Sequence, residues 1–292
     1  MLRTRLWMGS LLIALAVLIL VEGRWFAPWY PCLFVAAFLT MIFGSRELLL
    51  LMPAECRPDK RVTLAGISLL LLANWWLPIR GIGTGSHLDS WQLIGWVFLS
   101  LFMIAFLYEM AIFTGPNRIT ERIALTLFAF AYLGLLPSFL LQMRWLSGSS
   151  EEAVDRSVMA FALTIFVPKC SDIGAYFTGK FLTGRLLGRH PMTPLLSPKK
   201  TWQGLTGGLL AAIGTAIGLN QLSPIIPGGT LGAAGFGLTV GLAGVFGDLA
   251  ESLIKRDSGS KDASKTLPGF GGILDVSDSI LFAAPVAYLW LK

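Results

Sequence analysis

Carboxylates and lysines crowd together at two places in the C-terminal part of this chain, in a pattern that suits phosphate chemistry. The first place is Gly247-Asp248-Leu249-Ala250-Glu251-Ser252-Leu253-Ile254-Lys255-Arg256. If a helix continues through it, Asp248, Ser252 and Lys255 share one face at spacings of four and three. The second is Ile273-Leu274-Asp275-Val276-Ser277-Asp278, which opens another apolar stretch. A helix start is stabilised by one acid near its positive end; this turn carries two, three residues apart. Clustered carboxylates without His or Cys suit hard cations, above all Mg²⁺, so Asp248, Asp275 and Asp278 are the expected metal ligands. Lysines and arginines among them suit phosphate, and together they predict a metal-assisted phosphoryl or nucleotidyl site. A structural network of ion pairs at solvated helix ends is the competing reading.

Two further segments add weaker signals. Leu196-Ser197-Pro198-Lys199-Lys200-Thr201-Trp202 predicts a helix start with Ser197 as N-cap and Pro198 in the first position. Free backbone N–H groups there, beside Lys199 and Lys200, would hold an anion; a basic anchor with Trp202 at the membrane interface is the bland alternative. Upstream, Asp172 and Tyr176 stand one helical turn apart beside an apolar span. Between 261 and 272, Pro268-Gly269 and Gly271-Gly272 enforce a sharp turn and permit close backbone approach.

The elements that must position these groups are membrane helices. Of 292 residues, 54% are hydrophobic and 14% charged, against about 25% charged in soluble domains. Cys32, Cys56 and Cys170 show no C-x-x-C spacing, and two histidines (His87 and His190) speak against a His-rich metal centre. The net charge of +6 is better explained by loop charges that set topology than by nucleic acid, for which no role is expected. Arg3 and Arg5 precede an apolar run over 6–21, but Val21-Glu22-Gly23 is no cleavage site, which favours an uncleaved first span.

About 20 apolar residues are needed to cross a bilayer. That predicts an all-α polytopic fold with nine transmembrane helices, near 6–21, 26–43, 62–78, 91–108, 123–141, 157–171, 204–220, 231–247 and 273–291. With a cytoplasmic N-terminus, 18 of the 23 basic residues fall on the cytoplasmic side, as the positive-inside rule requires. Two long Gly- and Lys-rich loops, 169–203 and 248–272, lie on that side. The expected division is an N-terminal region of transmembrane helices over 1–150 and a catalytic region over 151–292.

These motifs resemble those of the CDP-diacylglycerol synthases, or phosphatidate cytidylyltransferases. The family signature is matched in register by Ser252, Lys255, Arg256, Lys261, Asp262, Pro268, Gly269, Gly271, Gly272, Asp275 and Asp278. Gly247-Asp248, Glu251, Asp172-x-Gly174-Ala175-Tyr176 and Ser197-Pro198-Lys199-Lys200-Thr201 also match. The resemblance covers about the last 120 residues. Phe270 replaces the signature His, Val276 an Arg, and Gln203 a Glu.

The resemblance implies that CTP and phosphatidate react to give CDP-diacylglycerol and pyrophosphate in phospholipid biosynthesis. Asp248, Lys255, Asp275 and Asp278 would be catalytic. Substrates would contact Asp172, Tyr176, Ser197, Lys199, Lys200, Thr201, Ser252, Arg256 and Lys261. It also implies Mg²⁺, with a second monovalent or divalent cation as an option, contact with membrane lipids, and a homodimer. The implied location is a bacterial inner (cell) membrane with the site facing the cytoplasm. Two alternatives stand beside this one: a CTP-dependent kinase of polyprenol-type lipids, and a catalytically inactive lipid-binding paralogue.

Overall fold

The computed structural model describes residues 2–80, 89–146, 151–182, 188, 190–260, 263, 264, 266–269 and 271–292. Helices run over Leu2–Val21 (α1), Gly23–Phe26 (α2), Pro31–Leu51 (α3), Lys60–Arg80 (α4), Ser90–Ala111 (α5), Ile119–Phe130 (α6), Leu136–Gln142 (α7) and Glu151–Leu182 (α8). After strands Pro191–Thr193 (β1) and Ser197–Thr201 (β2) come Trp202–Leu222 (α9), Gly229–Asp257 (α10) and Ile273–Leu291 (α11). Among the described residues nine helical stretches are long and apolar enough to cross a membrane, and the expected polytopic all-α fold is found. Helices are the natural solution, because hydrocarbon offers no partner to an open backbone N–H or C=O.

Two spans outrun the predicted boundaries. α8 does not end near residue 171 but continues to Leu182 with Pro168 inside it, so Lys169 and Asp172 lie on a helix and not in a loop. In a membrane, neighbouring helices can compensate for the hydrogen bond a proline removes. α10 likewise continues from the apolar stretch to Asp257. Its extension carries a Glu251–Lys255 pair at i,i+4 and basic residues in the last turn, both favourable to helix. Ser258 follows, and Gly259 takes a positive φ of 69°, which stops the helix.

The chain forms two compact units: Met1–Trp145 with Asp262–Leu274, and Leu146–Lys261 with Asp275–Lys292. A short segment of the C-terminal region, Asp262–Leu274, thus belongs to the same compact unit as the N-terminal helices. In the first unit Leu48, Leu70, Phe130 and Leu133 are buried at the core. A π-helical turn, Ala131–Leu135, joins α6 to α7, and its Gly134 admits the Leu70 side chain where a methyl would overlap it. Several polar side chains buried there are paired. Asn74 donates to Ser138 at 2.9 Å, Gln142 donates to Asn74 at 3.0 Å, and Arg122 meets Glu109 at 2.7 Å.

The second unit is built on small residues, which let membrane helices approach closely enough for dispersion to hold them. A methyl at Gly174 on α8 would stand 2.5 Å from the Ala211 Cβ of α9. On α10, one at Gly241 would be 2.8 Å from the Ala212 Cβ, and one at Gly244 would be 2.8 Å from the Pro168 Cβ. At Gly247 an added methyl would overlap the Asp278 carbonyl oxygen. α10 and α11 therefore touch backbone to backbone beside Asp248.

β1 and β2 pair antiparallel. The residues Ser197 to Thr201 thus form a strand, not the expected helix start. Trp202 N–H closes the hairpin onto the His190 carbonyl at 3.1 Å. The helix begins after the strand, where Thr201 is the N-cap and its hydroxyl accepts from Gly204 N–H at 3.1 Å. Pro198 fits a two-stranded ribbon because it sits on an edge that needs no donor.

Candidate functional site in the second unit

Three lysines organise the charged residues of the second unit. Lys255, on the last turns of α10, reaches Glu251 Oε2 at 3.0 Å and Asp275 Oδ1 at 2.6 Å. The three side chains are largely buried, with Glu251 only 1% exposed. Glu251 Oε1 is buried and accepts no hydrogen bond among the described residues. Lys200 comes from β2 and reaches Asp248 Oδ2 at 2.8 Å and the Val245 carbonyl at 3.3 Å. Ser252 Oγ donates to the other oxygen of Asp248 at 3.4 Å.

The third lysine, Lys169 of α8, donates to Ser279 Oγ at 2.8 Å. Its ammonium lies 3.7 Å from Asp172 and 3.8 Å from Asp278. Ser279 in turn donates its hydroxyl to Asp172 at 3.2 Å and its N–H to Asp278 Oδ1 at 2.6 Å. α8, β2, α10 and α11 thus deliver three ammonium groups to five carboxylates. Formally the acids are in excess by two charges, a balance that would suit a divalent cation. Burial strengthens the attraction most around Lys255, Glu251 and Asp275, where little water screens it, whereas the Lys169–Asp172 and Lys200–Asp248 pairs are partly exposed.

The donor chemistry fits Mg²⁺, because every unprotonated group here is an oxygen. No three His, Cys, Asp or Glu side chains among the described residues close into a ready-made cage. Mg²⁺ does not require one, since it is usually held by one or two carboxylates with water and substrate phosphate completing the octahedron.

Other predicted residues are placed differently. Tyr176 is 62% exposed and packs on Phe177, with Lys180 Nζ 5.7 Å from its ring centroid; among the described residues no hydrogen bond or ion pair joins it to the charged cluster. Lys199 and Lys200 do not act side by side, because strand geometry sends successive side chains to opposite faces. Lys200 turns in to Asp248, whereas Lys199 is exposed. Ser197 accepts from Thr193 through its carbonyl at 3.5 Å, and Thr201 caps α9. Arg256 is exposed and donates to the Leu196 and Ser260 carbonyls at 3.3 and 3.5 Å, tying the hairpin to α10. Gln203 holds the His190 ring at 2.7 Å. Lys261 and Phe270 lie outside the described residues.

Lys169 and Ser279 were missed as site residues, and Glu251 was noted only as a motif match. Lys169 precedes Asp172 by three positions, and Ser279 follows Asp278 directly. Those spacings on a helix were the available signal.

Comparison with known proteins adds an independent observation. The model of the family described as the cytidylyltransferase family matches residues 2–292. The chain is 35% identical over 191 residues to phosphatidate cytidylyltransferase 4, chloroplastic, of Arabidopsis thaliana, covering 61% of this chain and 48% of that one. It is 45% identical over 132 residues to a phosphatidate cytidylyltransferase of Helicobacter pylori, covering 44% and 46%. A phosphatidate cytidylyltransferase of Brucella suis is 34% identical over 218 residues, covering 68% and 73%. The chain spans about half the length of the first two, at 48% and 46%.

Proposed function

The chain belongs to the cytidylyltransferase family, and from that premise we propose that it is a phosphatidate cytidylyltransferase. A phosphate oxygen of phosphatidate attacks the α-phosphorus of CTP. A new P–O bond forms, the bond from the α-phosphorus to the bridging oxygen of the β-phosphate breaks, and pyrophosphate leaves with that electron pair. The products are CDP-diacylglycerol and pyrophosphate. The observation that carries this reading is the cluster of Lys169, Lys200 and Lys255 with five carboxylates on membrane helices.

The reaction brings two anions together, so charge neutralisation and alignment are the main demands. Lys255 and Lys200 each hold a carboxylate now and would turn an ammonium N–H toward phosphate oxygens. Arg256 and Ser252 stand on the same helix as further phosphate contacts. Asp248, Asp275 and Asp278 would hold Mg²⁺, which supplies neutralisation of the nucleotide phosphates; a second cation is compatible with the excess of acids. The lipid phosphate has a second pKa near ~6 and is mostly dianionic at neutral pH, so its attack needs no strong general base. That favours nucleotidyl transfer over a lipid-alcohol kinase, which must deprotonate a hydroxyl.

The proposed setting is a bacterial cell membrane with the site at the cytoplasmic face, supported by the bias of basic residues in the sequence. A homodimer belongs to the same reading. The test is a Mg²⁺-dependent assay of the protein purified in detergent, with phosphatidate and α-labelled CTP. Labelled CDP-diacylglycerol with release of pyrophosphate is expected. Release of CDP with phosphorylation of a lipid alcohol would replace this reading with the kinase. Unchanged lipid synthesis by Asp275→Ala in a strain dependent on this protein would point to the inactive paralogue.

A further inference from the structure

Glu47 lies on α3, in the first unit, and is 3% exposed. Its Oε1 accepts from Ser264 Oγ at 2.5 Å and from Ile273 N–H at 3.1 Å, and its Oε2 accepts from Leu274 N–H at 2.9 Å. Ser264, Ile273 and Leu274 all belong to the first unit. Gly272 makes room for the carboxylate: a methyl there would sit 2.6 Å from Oε2. The neighbouring turn is built to present these groups. Leu267 and Gly271 exchange two backbone hydrogen bonds of 2.8 and 3.1 Å, and Gly269 and Gly271 adopt φ of 90° and 98°, conformations that favour glycine.

Ile273 and Leu274 are the first two residues of α11, where backbone N–H groups have no partner within the helix. A buried, charged acceptor fixes both, and charge-assisted hydrogen bonds of this kind are about twice as strong as neutral ones. The next residue along the chain is Asp275, and Asp278 follows one turn later. We infer that Glu47 is a positioning residue for the nucleotidyl transfer: by pinning the first turn of α11 it sets where Asp275 and Asp278 stand. This rests on the reading of Asp275 and Asp278 as the metal-facing acids. Glu47 itself touches neither metal nor substrate in this scheme.

The experiment compares Glu47→Gln, Gly272→Ala and a control, Glu109→Gln, which removes a different buried carboxylate of the first unit. Each full-length protein is measured for kcat, for the Mg²⁺ concentration giving half-maximal rate, and for Mn²⁺ binding with CTP by electron paramagnetic resonance. Gln keeps the shape but can accept at one oxygen only, and Gly272→Ala keeps the acid but crowds it. Both are expected to lower kcat about tenfold, since displacing a reacting group by ~1 Å can cost up to about a hundredfold. Both should also raise the half-saturating Mg²⁺ and weaken Mn²⁺ binding severalfold. The control should lose thermal stability without either change.

Wild-type kcat, Mg²⁺ requirement and Mn²⁺ binding in both variants would overturn the inference. So would loss of thermal stability alone, which would make Glu47 merely structural. If Glu47→Gln does not fold, the three measurements on Gly272→Ala decide. A wild-type protein that makes no CDP-diacylglycerol, yet binds Mn²⁺ with CTP in a Glu47-dependent way, would sink the proposed reaction and leave the positioning role standing.

Discussion

Lys255 Nζ lies 2.6 Å from Asp275 Oδ1, and this contact ties the last turns of α10 to the first turn of α11. The same ammonium is held from the other side by Glu251 at 3.0 Å, so one cation serves two buried acids. At the edge of a membrane such an arrangement is expensive unless each charge is paired, and here the pairing brings the ammonium proposed to grip phosphate next to a proposed metal ligand.

Lys255→Met should therefore do two kinds of damage. It leaves Glu251 and Asp275 buried without their shared cation, which typically costs about 3–5 kcal/mol of stability. It also removes the proposed phosphate grip, so product formation should fall by more than the loss of folded protein explains. Thermal unfolding in detergent and kcat per folded molecule separate the two. Lys255→Arg, which keeps the charge, should recover most of the stability.

The two lysines of β2 should behave unequally. Lys200 turns in to Asp248 at 2.8 Å, whereas Lys199 is exposed. Lys200→Ala is expected to lower kcat/KM roughly tenfold to hundredfold, the worth of a hydrogen bond to a charged group. Lys199→Ala should stay within about threefold, as exposed charges usually do. Equal effects would contradict the strand geometry.

Gly247→Ala tests the contact between α10 and α11. Its methyl would overlap the Asp278 carbonyl oxygen, and overpacking of this sort costs about 1–3 kcal/mol. Gly218→Ala on α9 meets nothing within 4 Å and should be neutral or stabilising by up to about 1 kcal/mol. A thermal shift assay of the pair reads the difference, and only the first variant should lose activity.

Removal of divalent ions with a chelator should abolish product formation, with Mg²⁺ or Mn²⁺ restoring it. Ca²⁺ prefers longer bonds and more ligands and should restore little. Asp248→Asn, Asp275→Asn and Asp278→Asn should each raise the Mg²⁺ concentration needed. Unaltered Mg²⁺ dependence in all three would remove these acids from the metal's surroundings.

Phe270→His introduces the residue that the signature resembled by this sequence carries at that position. Because a dianionic lipid phosphate needs no strong base, the rate should change by less than about tenfold. A jump from no activity to full activity would show that a titrating side chain is essential there.

Much of the molecule was legible in local sequence. Apolar runs of spanning length predicted each membrane helix, and the acids of α10 and α11 stood out because charge is costly in hydrocarbon. Local rules misled at Ser197-Pro198, where a helix start was expected and a strand formed. The cap proved to be Thr201, four residues later, because pairing with β1 consumed the segment. They also misplaced Lys169, since a proline that ends many soluble helices is tolerated inside α8.

Composition and periodicity determined that the chain is a membrane protein, how many of the described helices are long and apolar enough to cross, and which acids and bases are candidates for chemistry. These are properties of single segments in a given solvent. The partnerships are of another kind: Lys200 with Asp248, Lys169 with Asp278, and Glu47 with the amides of Ile273 and Leu274. The last pair is separated by 226 and 227 positions along the chain. Only the tertiary structure decided them, because a buried charge takes whichever opposite group the close packing of small residues brings within reach. No local pattern records which that will be.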